Sequence, residues 1–193
     1  MLIAPPEILT AKGRLRRMTK GDFGAFSEMN ADTRVMEFFP HPWSLEESHA
    51  AFKTIEEGFA ERGFGIYTLE CDREFAGFVG LSVPTFEAYF TPCVEILWRL
   101  LPRFWGRGLV SVTGAAVLQM AFQTLRMSEV VAFTAAGNLR SIRVMERLCM
   151  ERDRNEYFDH PSVTESHLQR HVLYRATPKL SIPGCPALLF GRL

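Results

Sequence analysis

Arg103-Phe104-Trp105-Gly106-Arg107-Gly108-Leu109-Val110 sets two glycines and two arginines between segments of different periodicity. Upstream, Cys93 to Leu100 alternates as a strand does, with Val94, Ile96, Trp98 and Leu100 on one face and Glu95, Leu97 and Arg99 on the other. Downstream, Leu109, Val112, Ala116, Val117 and Met120 recur at helical spacing. A strand, a glycine-rich turn and a helix start, in that order, predict an anion site. Glycine lets the backbone come close, and the first N–H groups of a helix, with its dipole, favour negative charge. Taken alone, the same residues also suit an ordinary capped turn.

The rest of the chain narrows the choice. The 193 residues suit one domain with a substantial core. Its 22 basic and 22 acidic residues cancel, so no overall field draws it to nucleic acid or membrane headgroups, and any polyanion is met locally. Cys71, Cys93, Cys149 and Cys185 are widely spaced without metal-ligand patterns, which predicts free thiols and no metal. The N-terminus lacks a leader-like charged and apolar pattern, and no apolar run approaches the roughly 18 residues of a membrane span. The expectation is a cytoplasmic protein.

Working outward, residues 8 to 18 read as a first strand with a turn at Lys12-Gly13. A helix near Thr19 or Lys20 follows, with Phe23, Phe26 and Met29 as its stripe. After Pro40 and Pro42, Ser44 with Glu47 is a capping-box start for a helix through Ala51, Phe52, Ile55 and Phe59 to Gly63. Gly65–Glu70 and Phe75–Val83 form a hairpin across Cys71-Asp72-Arg73-Glu74. The loop between Pro84 and Pro92 carries Phe86, Tyr89 and Phe90, which either line a substrate pocket or pack over the sheet edge. Ser128–Thr134 is a further strand. Asn138 caps a helix whose apolar face is Leu139, Ile142, Met145 and Leu148, and a last strand spans Leu168 to Tyr174. Thr177 to Leu193, with three prolines, reads as an appendage that docks on the domain, docks on a second subunit or stays partly disordered, which composition does not decide and which leaves a homodimer open.

Two motifs carry a family resemblance. Arg103-x-x-Gly106-x-Gly108 after a strand bearing Glu95, and Asn138-x-x-Ser141-x-x-Val144-x-Glu146-x-Leu148-x-Met150 thirty residues beyond Gly108, closely resemble the GNAT superfamily of N-acetyltransferases, above all its RimJ/RimL-like branch. The resemblance covers about residues 8 to 175, leaving 176–193 as the appendage of a single domain.

It implies an α/β (α+β) fold: a mixed, twisted central sheet, mostly antiparallel with one splayed parallel pair, flanked by helices, with acetyl-CoA lying in the splay as cosubstrate. The turn of Arg103, Phe104, Trp105, Gly106, Arg107, Gly108 and Leu109 would then hold the pyrophosphate through backbone N–H groups and Arg103 or Arg107. Trp98 and Leu100 would offer backbone to the pantetheine, with Asn138 and Ser141 near the thiol. Three positions depart from the family pattern. Cys149 replaces a common glycine, expected to alter packing only. Ser111-Val112 replaces Thr-Glu. Met145 stands where other branches place a tyrosine that protonates the leaving thiolate.

Acyl transfer to an amine needs a neutral amine, a polarised carbonyl and a tolerable leaving thiolate. Glu95 reads as the general base or as half of an ion pair with Arg99. His160 reads as an alternative base or as a loop-capping histidine, and Ser141 as a donor to the thiolate or as an ordinary first-turn serine. The expected acceptor is a primary amine, a protein N-terminus or a small molecule, attacked directly in a ternary complex. A non-catalytic acyl-CoA-binding or regulatory module is the alternative.

Overall fold

A computed structural model describes residues 2–155 and 157–178. The appendage from residue 179 onward and Cys185 therefore lie outside the described residues. The first predicted strand is a hairpin, β1 (Glu7–Thr10) and β2 (Gly13–Arg17), folded at Lys12-Gly13. Then come α1 (Phe23–Ala31), entered through a 3-10 turn at Lys20–Asp22, and α2 (Leu45–Arg62). The α2 start is fixed reciprocally: Ser44 Oγ accepts the Glu47 N–H at 3.1 Å, and Glu47 accepts the Ser44 N–H at 2.7 Å. Gly63 ends the helix at φ 77°.

The hairpin of β3 (Ile66–Cys71) and β4 (Glu74–Ser82) leads into β5 (Glu95–Leu100). The glycine turn passes the chain to α3 (Leu109–Gln123), then to β6 (Val130–Ala135) and α4 (Leu139–Arg147). Two short strands, β7 (Glu151–Arg152) and β8 (Phe158–Asp159), and a single turn, α5 (Ser166–Gln169), precede β9 (Arg170–Ala176). The last strand thus starts two residues later than its periodicity suggests, because Leu168 is buried from α5.

Among the described residues the strands make one sheet in the order β1-β2-β3-β4-β5-β6-β9-β7, with β8 also on β9. Every pair is antiparallel except β5–β6. Helices cover both faces. On one, Phe23 and Phe26 of α1 meet Phe52 of α2 edge to face, and Phe26 reaches Phe78 of β4. On the other, α3 is apolar nearly all round and buries nine residues, while Gly114 lets Leu148 and Ile96 close in.

Cys149 corrects two expectations. It stands at φ 56°, where its N–H bonds Glu146 O at 2.9 Å and the Met150 N–H bonds Met145 O at 3.1 Å. That is the Schellman ending of α4, and the left-handed position explains why glycine suits it; the departure strains the backbone rather than the packing. Cys149 is also disulfide-bonded, while Cys71 and Cys93 are free, so four free thiols is not the observed pattern. In reductant, Cys149→Gly is expected to be about 1 kcal/mol more stable than Cys149→Ala by urea denaturation.

Candidate active site

The parallel pair is held at one rung, Glu95 opposite Val131, where the Val131 N–H bonds Val94 O at 2.9 Å. Beyond it β5 runs on to Leu100 and β6 to Ala135 without pairing. Backbone alternation decides what faces the gap. The Leu101 N–H bonds Ala76 O at 3.0 Å, so Leu101, Arg99 and Leu97 spend their backbone groups on β4, and those of Trp98 and Leu100 turn towards β6. By the same rule, the Ala136 bond to Arg170 O turns the backbone of Phe133 and Ala135 towards β5.

This splay opens into a cavity of about 710 Å³. Of the predicted cofactor residues, Trp98, Leu100, Phe104, Trp105, Gly106, Gly108, Leu109, Asn138 and Ser141 line it, as do Glu95 and His160. The cavity brings the two motifs together. One open group is shared: Trp105 Nε1–H already bonds Leu100 O at 2.9 Å, which leaves Trp98 with the freer backbone.

The glycine turn leaves backbone donors open at the start of α3. Gly106 and Gly108 stand at φ 74° and 70°, and Gly108 is the N-cap of α3. The N–H groups of Leu109, Val110 and Ser111 have no intrahelical acceptor, and no other acceptor among the described residues takes them. The turn's arginine side chains lie elsewhere. Arg103 and Arg107 do not line the cavity; each packs 5.0 Å from the Phe104 ring, and they pair with Glu74 at 3.3 Å and Asp72 at 4.0 Å. The cavity wall instead carries Arg34 and Arg99 and, on one side of α4, Arg140, Arg143 and Arg147. Their i, i+3, i+7 spacing behind the Asn138 cap was the sequence signal for them. Arg140 lies 4.6 Å from the Trp105 ring and pairs with Glu37.

Glu95 is half-buried at the floor of the splay. It forms no ion pair with Arg99; burial alone lifts its carboxyl from 4.5 to about 7. Asn138 Oδ1 accepts the Ser141 N–H at 3.2 Å as the cap of α4, and Asn138 Nδ2 donates to Thr134 Oγ1 at 2.9 Å. Ser141 therefore keeps its hydroxyl for the cavity. Met145 is fully buried and brings no proton donor.

His160 is joined by a residue not singled out beforehand, His171, on β9 opposite Ala135. The rings lie 4.9 Å apart among Phe86, Phe133 and Phe158. His160 Nδ1 accepts the Ser162 N–H at 3.2 Å, so its neutral ring carries the proton on Nε2. His171 Nδ1 lies 3.0 Å from Gln169 O and must donate, which bares its Nε2. Burial, then the neighbouring His171, pulls His160 down to about 4, and burial also lowers His171. The pair is therefore neutral near pH 7. The aromatic loop packs on the sheet: Phe90 is buried with Val131 and Leu173, and Phe86 lies against Phe133 and His160.

The matched family gives this geometry its context. The model of the acetyltransferase (GNAT) domain matches residues 14–151, and the chain belongs to that family, whose fold uses acetyl-CoA. It is 26% identical over 147 residues to the uncharacterized N-acetyltransferase YnaD of Bacillus subtilis, covering 76% of this chain and 83% of that protein. It is 33% identical over 123 residues to the FsC-acetyl coenzyme A-N(2)-transacetylase of Aspergillus fumigatus, spanning 61% of this chain and 52% of that one. Among solved structures, an acetyltransferase from Agrobacterium tumefaciens superposes with a TM-score of 0.73 at 23% identity, covering 91% and 96% of the two chains. RimL, a ribosomal L7/L12 alpha-N-protein acetyltransferase in complex with coenzyme A, superposes with a TM-score of 0.72 at 16% identity, covering 91% and 97%. The mixed sheet with one parallel pair is thus the GNAT fold. Among the described residues no helix is long and apolar enough to cross a membrane, and no group of three or more His, Cys, Asp or Glu could hold a metal.

Proposed function

We propose that the chain transfers the acetyl group of acetyl-CoA to a primary amine by direct attack in a ternary complex, with Glu95 as general base. One observation carries the reading: a carboxyl of pKa about 7 stands at the single β5–β6 rung, beside the point where the two strands part. The residues fit the cosubstrate. The free N–H groups at the α3 start and the α4 arginines suit its phosphates, and the Trp98 edge suits its amide arm. Acetyl-CoA supplies an activated thioester carbonyl.

The chain's own groups do the rest. Glu95 takes a proton from the ammonium, which yields the attacking amine; the N–C bond forms as the C–S bond breaks. The nitrogen's second proton, lost as the amide forms, passes to the departing sulfur through the Ser141 hydroxyl, which gives one proton and takes up the other, since Met145 cannot serve. His160 Nε2–H and His171 Nε2 offer one donor and one acceptor to the acceptor substrate rather than acting as the base. By analogy with the RimL-like branch the acceptor is a protein N-terminus, with a small-molecule amine as the other source, and the enzyme works in the cytoplasm.

The test is thiol release from acetyl-CoA across a panel of peptide N-termini and small amines. Turnover with some members is expected. A binding module would instead show a raised Tm with coenzyme A and release no thiol with any amine.

A further inference from the structure

The face of β5 that carries Glu95 carries a second charged group, Arg99, that acetyl transfer as described leaves unused. Its Cζ lies 4.3 Å from the Phe39 ring centre, 4.6 Å from Trp43 and 5.5 Å from Phe78. Its Nη1 donates to Oδ1 of the fully buried Asn30, a neutral partner. Among the described residues no carboxylate pairs with it, whereas Arg34 and Arg140 of the same cavity wall pair with Asp32 and Glu37.

A guanidinium in that position is under-compensated. Three rings and one amide oxygen recover only part of what its charge loses on leaving water. Burial pulls its pKa down to about 9, which still leaves it charged at neutral pH. Arg99 lines the cavity, so an anion can reach it from a bound molecule.

We propose that Arg99 sets acceptor specificity and that the acceptor is an amine bearing a carboxylate, seated with its nitrogen at Glu95 and its carboxylate on the guanidinium. The inference rests on the acetyl-transfer reading above. Glu95 and Arg99 are four residues apart on one strand, on the order of 13 Å between Cα atoms. The two groups of the acceptor are therefore separated by on the order of 10 Å, too far for the α-amine and carboxylate of one amino acid. An ω-amino acid meets that spacing, and so does a peptide with an acidic side chain shortly after its free N-terminus. Asn30 is a positioning residue, holding the guanidinium through Nη1.

The experiment measures thiol release from acetyl-CoA by the full chain with two matched sets. One is straight-chain ω-amino acids of increasing length against their amides. The other is Ser-Ala-Glu-Ala against Ser-Ala-Gln-Ala. At the best length or in the peptide set, kcat/KM for the acid is expected to exceed that for the amide by roughly 10²-fold. Arg99→Met is expected to collapse that ratio towards one, and Arg99→Lys to restore part of it. The set that shows the preference identifies the source of the carboxylate.

Equal turnover of acid and amide by the wild-type chain would overturn the proposal and needs no variant that folds. So would a ratio in Arg99→Met equal to the wild type's, the mark of a merely structural arginine. No thiol release with any amine would instead remove the acetyl-transfer reading and this proposal with it.

Discussion

Glu95→Gln is expected to lower kcat by roughly 10²- to 10⁴-fold, the usual worth of a positioned general base. The pH profile separates this from a packing defect. With Glu95 at about 7, the wild-type kcat/KM rises through that pH as the carboxyl ionises. In the variant that limb disappears, and only the rise from the amine's own titration remains. A loss of rate with the limb intact would move the base to another group.

The same substitution should behave oppositely in stability. The folded chain holds the Glu95 proton more tightly, at about 7, than the unfolded chain does at 4.5. Between those values the unfolded state ionises first, so stability falls as pH rises from 4.5 to 7 and the loss is complete above 7. Glu95→Gln escapes that loss. By urea denaturation it is expected to exceed the wild type by about 1–3 kcal/mol at pH 8 and to match it near pH 4.5. A less active yet more stable variant is what a base kept partly desolvated for its chemistry would give.

Gly108→Val is the second large effect, and it acts on the cosubstrate. A β-branched residue at φ 70° is strained by about 1–3 kcal/mol, and its Cβ would meet Lys12 Nζ at 3.1 Å, the group that bonds Arg107 O. Relief of that strain turns the first N–H groups of α3 away from a shared focus. KM for acetyl-CoA is expected to rise roughly 10- to 100-fold, with kcat at saturation changed only a few-fold. Kinetics over a wide range of acetyl-CoA concentration separate the two, and the Tm gain with coenzyme A should shrink in parallel. Equal losses in kcat and kcat/KM would instead assign the turn to the transition state.

Much of this architecture was readable in the residues. Alternation from Val94 to Leu100 fixed both faces of β5, and Asn138 marked a helix start that the structure realises as a cap on Ser141. What alternation cannot give is the strand's neighbour on each side, so the width of the splay and its free backbone groups needed β4 and β6 in place. The arginines show the same limit. Arg103 and Arg107 belong to the glycine turn, yet their side chains pair with Glu74 and Asp72 of the β3–β4 hairpin and do not line the cavity.

Arg99 and His171 could not be weighed from local pattern. Their environments come from Asn30, Phe39 and Trp43 in one case and from Phe158 and Gln169 in the other, all distant in the chain or on other elements. An ion pair between Glu95 and Arg99 was reasonable at four residues on one face. An extended strand simply holds them too far apart, which leaves the Glu95 carboxyl without that ion pair and, among the described residues, the Arg99 guanidinium without a carboxylate.

The most direct test of the splay as the catalytic centre is a crystal structure with coenzyme A bound. The pyrophosphate is expected on the backbone N–H groups from Gly106 to Ser111, the pantetheine amides on the Trp98 edge, and the sulfur in the gap between β5 and β6 with Ser141 and Glu95 around it. Coenzyme A seated with its sulfur outside that gap, or its phosphates away from the α3 start, would contradict the assignment.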